Sequence, residues 1–336
     1  MIREAVIRLA DRQDIGYETA KQVMCEIMRN EVTEVQKAAY LTALAMKGET
    51  AEEIAGSAEA MRENCVRFLN DQDVLEIVGT GGDYSNSFNI SSTSAIVIAS
   101  GGVPVAKHGR RAVSSASGAA DLYEALGINI RLEPRRAAEL LRDIGIVFLF
   151  SQNYHIAMRY VAPVRKELGI RTVFDMIGPL ANPAGADMLL LGVSDEGLVK
   201  PLGEALLNLG VKKAMVVYGR DRLDEISVSA PTAVCEVCGG KIRCFEIRPE
   251  DFGLERCHRE DLLGGSADHN AEICRRIVSG RERGPKRDAV VINAGAAFCL
   301  AGRVEDIGSG VRLAEELIDS GAAMAKLEEF IVRSNR

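Results

Sequence analysis

Val74-Leu75-Glu76-Ile77-Val78 runs directly into Gly79-Thr80-Gly81-Gly82-Asp83, and this passage decides the fold. The mostly apolar run predicts a short strand. The glycines after it let the backbone approach a ligand closely and turn successive N–H groups into an anion-binding nest. Further on, Ser91 and Ser92 precede Ser94–Ser100, which reads as a buried helix. The amides and dipole of a helix N-terminus favour phosphate. The loop lacks the Gly-Lys-Ser/Thr ending of a Walker A motif and is no GxGxxG fingerprint. Alone it reads equally well as a tight strand–helix turn with a serine cap.

Outward from this passage, Val103–Ala106 predicts a strand ending at Lys107-His108-Gly109. Met188–Val193, Glu196–Leu209 and Ala214–Tyr218 predict strand, helix and strand. Strands alternating with helices specify an α/β fold with a central, mostly parallel sheet. The first 65 or so residues differ. Tyr17–Met28 and Glu34–Met46 carry apolar residues at helical spacing, Gly48 ends the second run, and Thr50 with Glu53 forms a capping box. Pro163–Pro183, with three prolines and little strand periodicity, reads as a return to this helical unit. The expected organisation is a small helical domain of residues 1–70 joined by 163–183. A large α/β domain then takes in 71–162 and 184–336.

The chain has 336 residues, 47% hydrophobic and 26% charged, with a formal net charge of −7. This is ample for a buried core, and no Lys/Arg run suggests a surface that coats nucleic acid. Neither the N-terminus nor the short apolar runs Ile144–Phe150 and Met188–Val193 read as a signal peptide or membrane span. A cytoplasmic protein without nucleic-acid or membrane partners is expected. Among eight cysteines, Cys235 and Cys238 form a single CxxC, followed by Cys244 and Cys257-His258. With no second CxxC, reduced thiols are the expected reading rather than zinc.

Two more loops carry chemistry. Lys107-His108-Gly109-Arg110-Arg111 leads through Ser114-Ser115-Ala116-Ser117-Gly118-Ala119 to a helix over Asp121–Leu126. Cations and hydroxyls at a helix start suit a polyphosphate, though a solvated basic turn would look the same. Leu223-Asp224-Glu225 follows the strand Ala214–Tyr218, at the end of a sheet where ligands bind. Adjacent carboxylates there suit Mg²⁺ held between protein and phosphates. Together the loops point to a diphosphate leaving group.

At these residues the chain resembles the anthranilate phosphoribosyltransferases of tryptophan biosynthesis. The likeness extends to Lys47-Gly48-Glu49-Thr50, Ala60-Met61-Arg62, His155-Ile156-Ala157-Met158, Pro163-Val164-Arg165 and Gly178-Pro179-Leu180-Ala181-Asn182-Pro183. Nucleoside phosphorylases of the same fold share the glycine loop and match less well elsewhere. The resemblance implies a homodimer through the helical domain and transfer of phosphoribose from phosphoribosyl pyrophosphate (PRPP) to anthranilate. It implies PRPP on Gly79, Gly82, Asp83, Ser87, Asn89, Ile90, Ser91, Ser92, Lys107, His108, Gly109, Arg111, Ser114, Ser115 and Ala119. Anthranilate would meet Gly79, His108, Arg110, His155, Met158 and Arg165. Two Mg²⁺ ions would sit on Ser91, Asp224 and Glu225, with Lys107, Asp224 and Glu225 catalytic. The chain departs from the family at Arg110, usually Asn, at Ala116, usually Lys, at Asp175, usually Asn, and at Arg222, usually Gly. Arg110 therefore keeps a different aromatic amine open as the acceptor. A non-catalytic relative that binds nucleic acid would call for a basic face and a decayed Asp-Glu pair, and neither is present.

Overall fold

Four helices open the chain: α1 (Ile2–Ala10), α2 (Gly16–Met28), α3 (Glu34–Lys47) and α4 (Ala51–Glu63). The structure, a computed structural model, describes residues 1–112 and 116–336. Local chemistry closes the helix ends. Thr33 with Gln36 and Thr50 with Glu53 form capping boxes, and Gly48 terminates α3 at φ 88°. Glu53 is fully buried, yet it accepts from the N–H groups of Ile15 (3.0 Å) and Thr50 (2.8 Å) and from Lys47 Nζ (2.9 Å). A buried carboxylate is tolerated when its lone pairs are filled in this way.

Seven strands form one sheet: β1 (Leu75–Gly79), β2 (Val105–Gly109), β3 (Ile146–Phe150), β4 (Met188–Gly192), β5 (Lys213–Gly219), β6 (Thr232–Cys238) and β7 (Lys241–Ile247). The order is β3-β2-β1-β4-β5-β6-β7, parallel through β5 and antiparallel thereafter. Connections run through α5 (Ile90–Ser100), α6 (Ala119–Ala125), α7 (Pro134–Ile144), α8 (Ser151–Tyr154), α9 (Ala162–Leu168), α10 (Val173–Leu180) and α11 (Val199–Asn208). The C-terminal part adds α12 (Ala267–Val278), α13 (Pro285–Leu300), α14 (Ile307–Asp319) and α15 (Ala322–Ser334). Both faces of the parallel part are covered, which is why β3 is buried at every residue. One core joins α5, α12, α13 and α15 to the sheet. A second joins α1–α4, α9, α10 and α11 to the other face of β4–β6. Between β3 and β4 the chain therefore crosses to the N-terminal helices, with α9 packed on α3 and α10 on α4.

Three sequence expectations shift. The buried helix begins at Ile90 rather than Ser94, so Ser91 and Ser92 belong to its first turn. β2 continues through Lys107-His108-Gly109 instead of ending there. The run Glu196–Leu209 divides into a 3₁₀ turn, Glu196–Leu198, and α11. The CxxC lies on β6, where residues three apart face opposite ways: Cys235 is buried and Cys238 exposed. Among the described residues, no helix is long and apolar enough to cross a membrane.

α2 and α4 touch at Gly56, where a Cβ would collide with the carbonyl oxygen of Tyr17 and lie 3.1 Å from the amide nitrogen of Lys21. Gly56→Ala is expected to cost about 2 kcal/mol by overpacking, read as a lowered melting temperature by circular dichroism. An unchanged melt would mean that the helices separate freely.

Candidate active site

β1 and β2 share one register pair, Leu75 with Val105. Beyond it, side chains replace main-chain pairing. Glu76, fully buried, accepts from the His108 N–H (2.8 Å) and from the Asn182 side-chain amide. Asn182 Nδ2 also donates to the Ala106 carbonyl (2.8 Å), and Lys107 Nζ donates to the Ile77 carbonyl (2.6 Å). A wedge of polar side chains thus opens the sheet at the carboxyl ends of its strands, where α/β folds place ligands. Burial pushes the Glu76 carboxyl up, and it pushes the Lys107 amine down against the attraction of Glu76, Glu225 and Asp224.

Asp224 and Glu225 leave β5 through the turn Gly219–Arg222, in which Arg222 takes the left-handed φ of 71°. Their placement depends on absent side chains. A Cβ on Gly79 would strike the Asp224 carboxylate, and one on Gly192 would strike the Asp224 main chain. Asp224 Oδ2 accepts from the Gly81 N–H (2.7 Å), bracing the glycine loop, in which Gly81 and Gly82 have φ of 74° and 77°. Glu225 Oε1 accepts from the Ser91 N–H (3.1 Å) in the first turn of α5, and Lys107 Nζ reaches Ser91 Oγ (3.3 Å).

Burial, then Asp83 and Glu225, hold the Asp224 carboxyl well above its ordinary range, and burial raises Glu225. Three carboxyls crowd one place with a single nearby ammonium, an arrangement that a divalent cation relieves. Among the described residues, no three His, Cys, Asp or Glu side chains converge as a complete metal cage. Mg²⁺ needs none, since it binds through one or two carboxylates together with phosphates and water. Hard oxygen donors from Asp224, Glu225 and Ser91 fit it.

At the other end, the rings of His108 and His155 meet edge to face with centroids 5.0 Å apart. His108 Nε2 is buried without a hydrogen-bond partner among the described residues. Burial first, then His155 and Lys107, hold His108 well below its ordinary value, and burial lowers His155 to about 4. Both rings are neutral at pH 7. Beside them Arg165 pairs with Asp175 (2.6 Å) and lies over the Phe174 ring, 5.4 Å from its centroid.

Every sequence-predicted site residue that is described lines one cavity of about 860 Å³; Ser114 and Ser115 lie outside the described residues. The predicted residues are not equally available. Arg111 is paired with Asp121 (2.9 Å) and Glu124 (2.7 Å). Lys107 works from beneath the floor. Sequence reasoning passed over the roles of Glu76 and Asn182, and it did not place Phe174, Asp175, Met61 or Arg159 on the wall. A carboxylate inside an otherwise apolar strand was the available signal for Glu76.

A helical bundle, an α/β sheet and a cleft that joins a glycine loop to paired carboxylates define a glycosyltransferase. Residues 3–65 match the helical bundle domain of the glycosyl transferase family, and residues 71–324 match its a/b domain. The chain is 58% identical over 335 residues to the anthranilate phosphoribosyltransferase of Methanobrevibacter smithii, covering 100% of both. It superposes on anthranilate phosphoribosyltransferase from Thermus thermophilus with a TM-score of 0.94, at 43% identity and with 99% of each chain covered. It also superposes on the Saccharomyces cerevisiae enzyme in complex with PRPP and Mg, with a TM-score of 0.89, at 30% identity and covering 99% of this chain and 98% of that one. The chain belongs to the anthranilate phosphoribosyltransferase family.

His155 generates a pH dependence. Its folded pKa of about 4 lies below the ordinary 6.5, so between these values the unfolded chain binds a proton that the folded chain does not. Stability therefore falls as pH drops through that window, by up to roughly 3 kcal/mol at its acid end. Thermal melts at pH 7 and pH 4.5 should show this loss, and His155→Gln should shrink it. An equal acid loss in the variant would assign it to other groups.

Proposed function

We propose that this chain transfers the 5-phosphoribosyl group of PRPP to the amine of anthranilate and releases pyrophosphate. The observation that carries the reading is a single cavity with two unlike ends. One end holds the glycine loop, the start of α5 and the Asp224–Glu225 pair; the other holds neutral histidines, Met158, Phe174 and the guanidiniums of Arg110 and Arg165, with Arg159 at the exposed rim. The first suits a metal-bound diphosphate and the second a flat anionic aromatic.

The amine of anthranilate is neutral at pH 7 and needs no base. As its nitrogen attacks C1 of the ribose, the C1–oxygen bond breaks and the electron pair leaves with pyrophosphate; the amine proton passes to solvent. The difficulty lies in the charge that builds on the leaving group. The Gly82 amide and the positive end of the α5 dipole face that charge, the Gly81 and Ser91 amides being held by Asp224 and Glu225, and Lys107 adds a buried positive field through Ser91. Asp224, Glu225 and the Ser91 hydroxyl would hold two Mg²⁺ ions, which would supply the neutralisation of pyrophosphate. Gly79, Asp83, Ser87, Asn89, Ile90, Ser92, His108, Gly109, Arg111, Ser114, Ser115 and Ala119 contact PRPP in this reading. Asn89 is already tied to the Ser117 carbonyl (3.1 Å) and to Asn270 (2.9 Å), which fixes the loop against α12. The walls align the acceptor behind C1, and that alignment is itself a large part of such catalysis.

The same reading takes residues 1–70 with 163–183 as the helical domain and 71–162 with 184–336 as the α/β domain. It makes the protein a homodimer through the helical domain. Apolar side chains left in water on α1 and α3 support this, with Ile7, Val35 and Met46 exposed at 65%, 79% and 74%. Eight free cysteines support a reducing, cytoplasmic setting.

Anthranilate-dependent release of pyrophosphate from PRPP tests the assignment, and no release with anthranilate would defeat it. Glu225 touches the α5 start and adjoins Asp224, so it would serve both ions of this reading. Glu225→Ala should therefore lower kcat by about 100-fold or more at saturating Mg²⁺, and Asp224→Ala by less. Activity that survives EDTA would rule out the metal role.

A further inference from the structure

Arg110, Arg165 and Asp175 act on one another at the acceptor end of the cavity, and the three are not equivalent. Asp175 has both oxygens occupied. Oδ1 pairs with Arg165 Nη2 at 2.6 Å, and Oδ2 accepts from the Thr172 N–H at 3.0 Å, capping α10. With Phe174 beneath it, Arg165 is held by an ion pair and a ring. Arg110 stands apart: its guanidinium makes no hydrogen bond or ion pair among the described residues. It extends from the end of β2 across the cleft, and Nη2 lies 3.9 Å from where a Cβ on Gly81 would stand. Burial and Arg165 push the Arg110 guanidinium below its ordinary value, and Asp175 opposes them, so all three charges act on one another.

We propose that Asp175 is a positioning residue that keeps Arg165 in a closed ion pair and so assigns the acceptor's carboxylate to Arg110. This rests on the acceptor reading above. An incoming aromatic carboxylate pairs with Arg110 without breaking any bond already present, whereas reaching Arg165 means displacing a short charge-assisted contact. Arg110, Arg165 and Asp175 together carry a net single positive charge, which one benzoate-type anion balances; Arg159, on the same wall, is exposed and turned to Tyr160, donating to its hydroxyl at 2.6 Å and lying over its ring. Without Asp175 the pocket would present two free guanidiniums to a singly charged acceptor.

Steady-state kinetics on four proteins, each with a thermal melt, test this: wild type, Arg110→Asn, Asp175→Asn and the double variant. Asn at 175 keeps an oxygen for the Thr172 N–H and removes only the charge, so a purely structural role predicts no kinetic change. Arg110→Asn should raise KM for anthranilate about tenfold, with kcat and KM for PRPP within about twofold of wild type. Asp175→Asn should lower KM for anthranilate by roughly threefold, because Arg165 is released to join Arg110. The double variant should return to within about threefold of wild type, since the freed Arg165 takes over. A double variant no better than Arg110→Asn overturns the proposal, as does an Arg110→Asn protein whose defect lies in PRPP rather than anthranilate. If the melt shows that Asp175→Asn has lost its fold, Arg110→Asn against Arg165→Asn decides: the former must carry the larger rise in KM for anthranilate. Wild type inactive with anthranilate would remove the acceptor reading and this inference with it. An active wild type with the wrong variant pattern removes this inference alone.

Discussion

The cleft is organised around carboxylates taken out of water. Glu76, Asp224 and Glu225 are arrayed about the buried amine of Lys107. Desolvation penalises each charge, and too few cations are present to compensate. The protein meets this in two ways. Glu76 has a donor on each oxygen, the His108 N–H on one and the Asn182 side-chain amide on the other. Asp224 and Glu225 receive one main-chain donor each, from Gly81 and Ser91, and keep lone pairs to spare. The first arrangement builds a floor and the second leaves a demand for metal. On the proposed reading, a chain of formal net charge −7 can hold a polyphosphate because cation and anion enter the charge balance together.

Much of this was legible in the residues. Strand alternation with helices, the glycine loop and the capping box at Thr50 are local signals, and each survives in the structure. The misses share one cause: polar residues whose partners are distant in sequence. The strand predicted over Val103–Ala106 takes in Lys107, because Ile77 and Ser91 satisfy its ammonium from elements the local pattern does not reveal. Ser91 and Ser92 resembled loop residues, whereas the Glu225 carboxylate, 134 residues along the chain, caps the turn they occupy.

Departures from the family's habits have local physical readings. At Arg222 the backbone lies at φ 71°, where an L-residue costs about 1–2 kcal/mol. Replacing glycine also removes roughly 0.5–1 kcal/mol of unfolded-chain entropy. The gain offsets the strain only in part, and the Arg222 side chain is exposed. The turn that delivers Asp224 and Glu225 therefore keeps its shape with a residue other than glycine. Asp175 still caps α10 through its Oδ2, so the charge introduced there does not disturb the helix start.

The wedge between β1 and β2 bears on how such a chain can change over generations. Glu76 and Asn182 stand 106 positions apart, yet the amide of one completes the carboxylate of the other. Losing Asn182 would leave one buried Glu76 oxygen and the Ala106 carbonyl without this donor, and losing Glu76 would orphan the His108 amide beneath the cleft. Neither position can drift alone without cost. The two are expected to be inherited as a pair, so a recombination event that joins the first half of one homologue to the second half of another succeeds most readily where both parents carry matching residues at these sites.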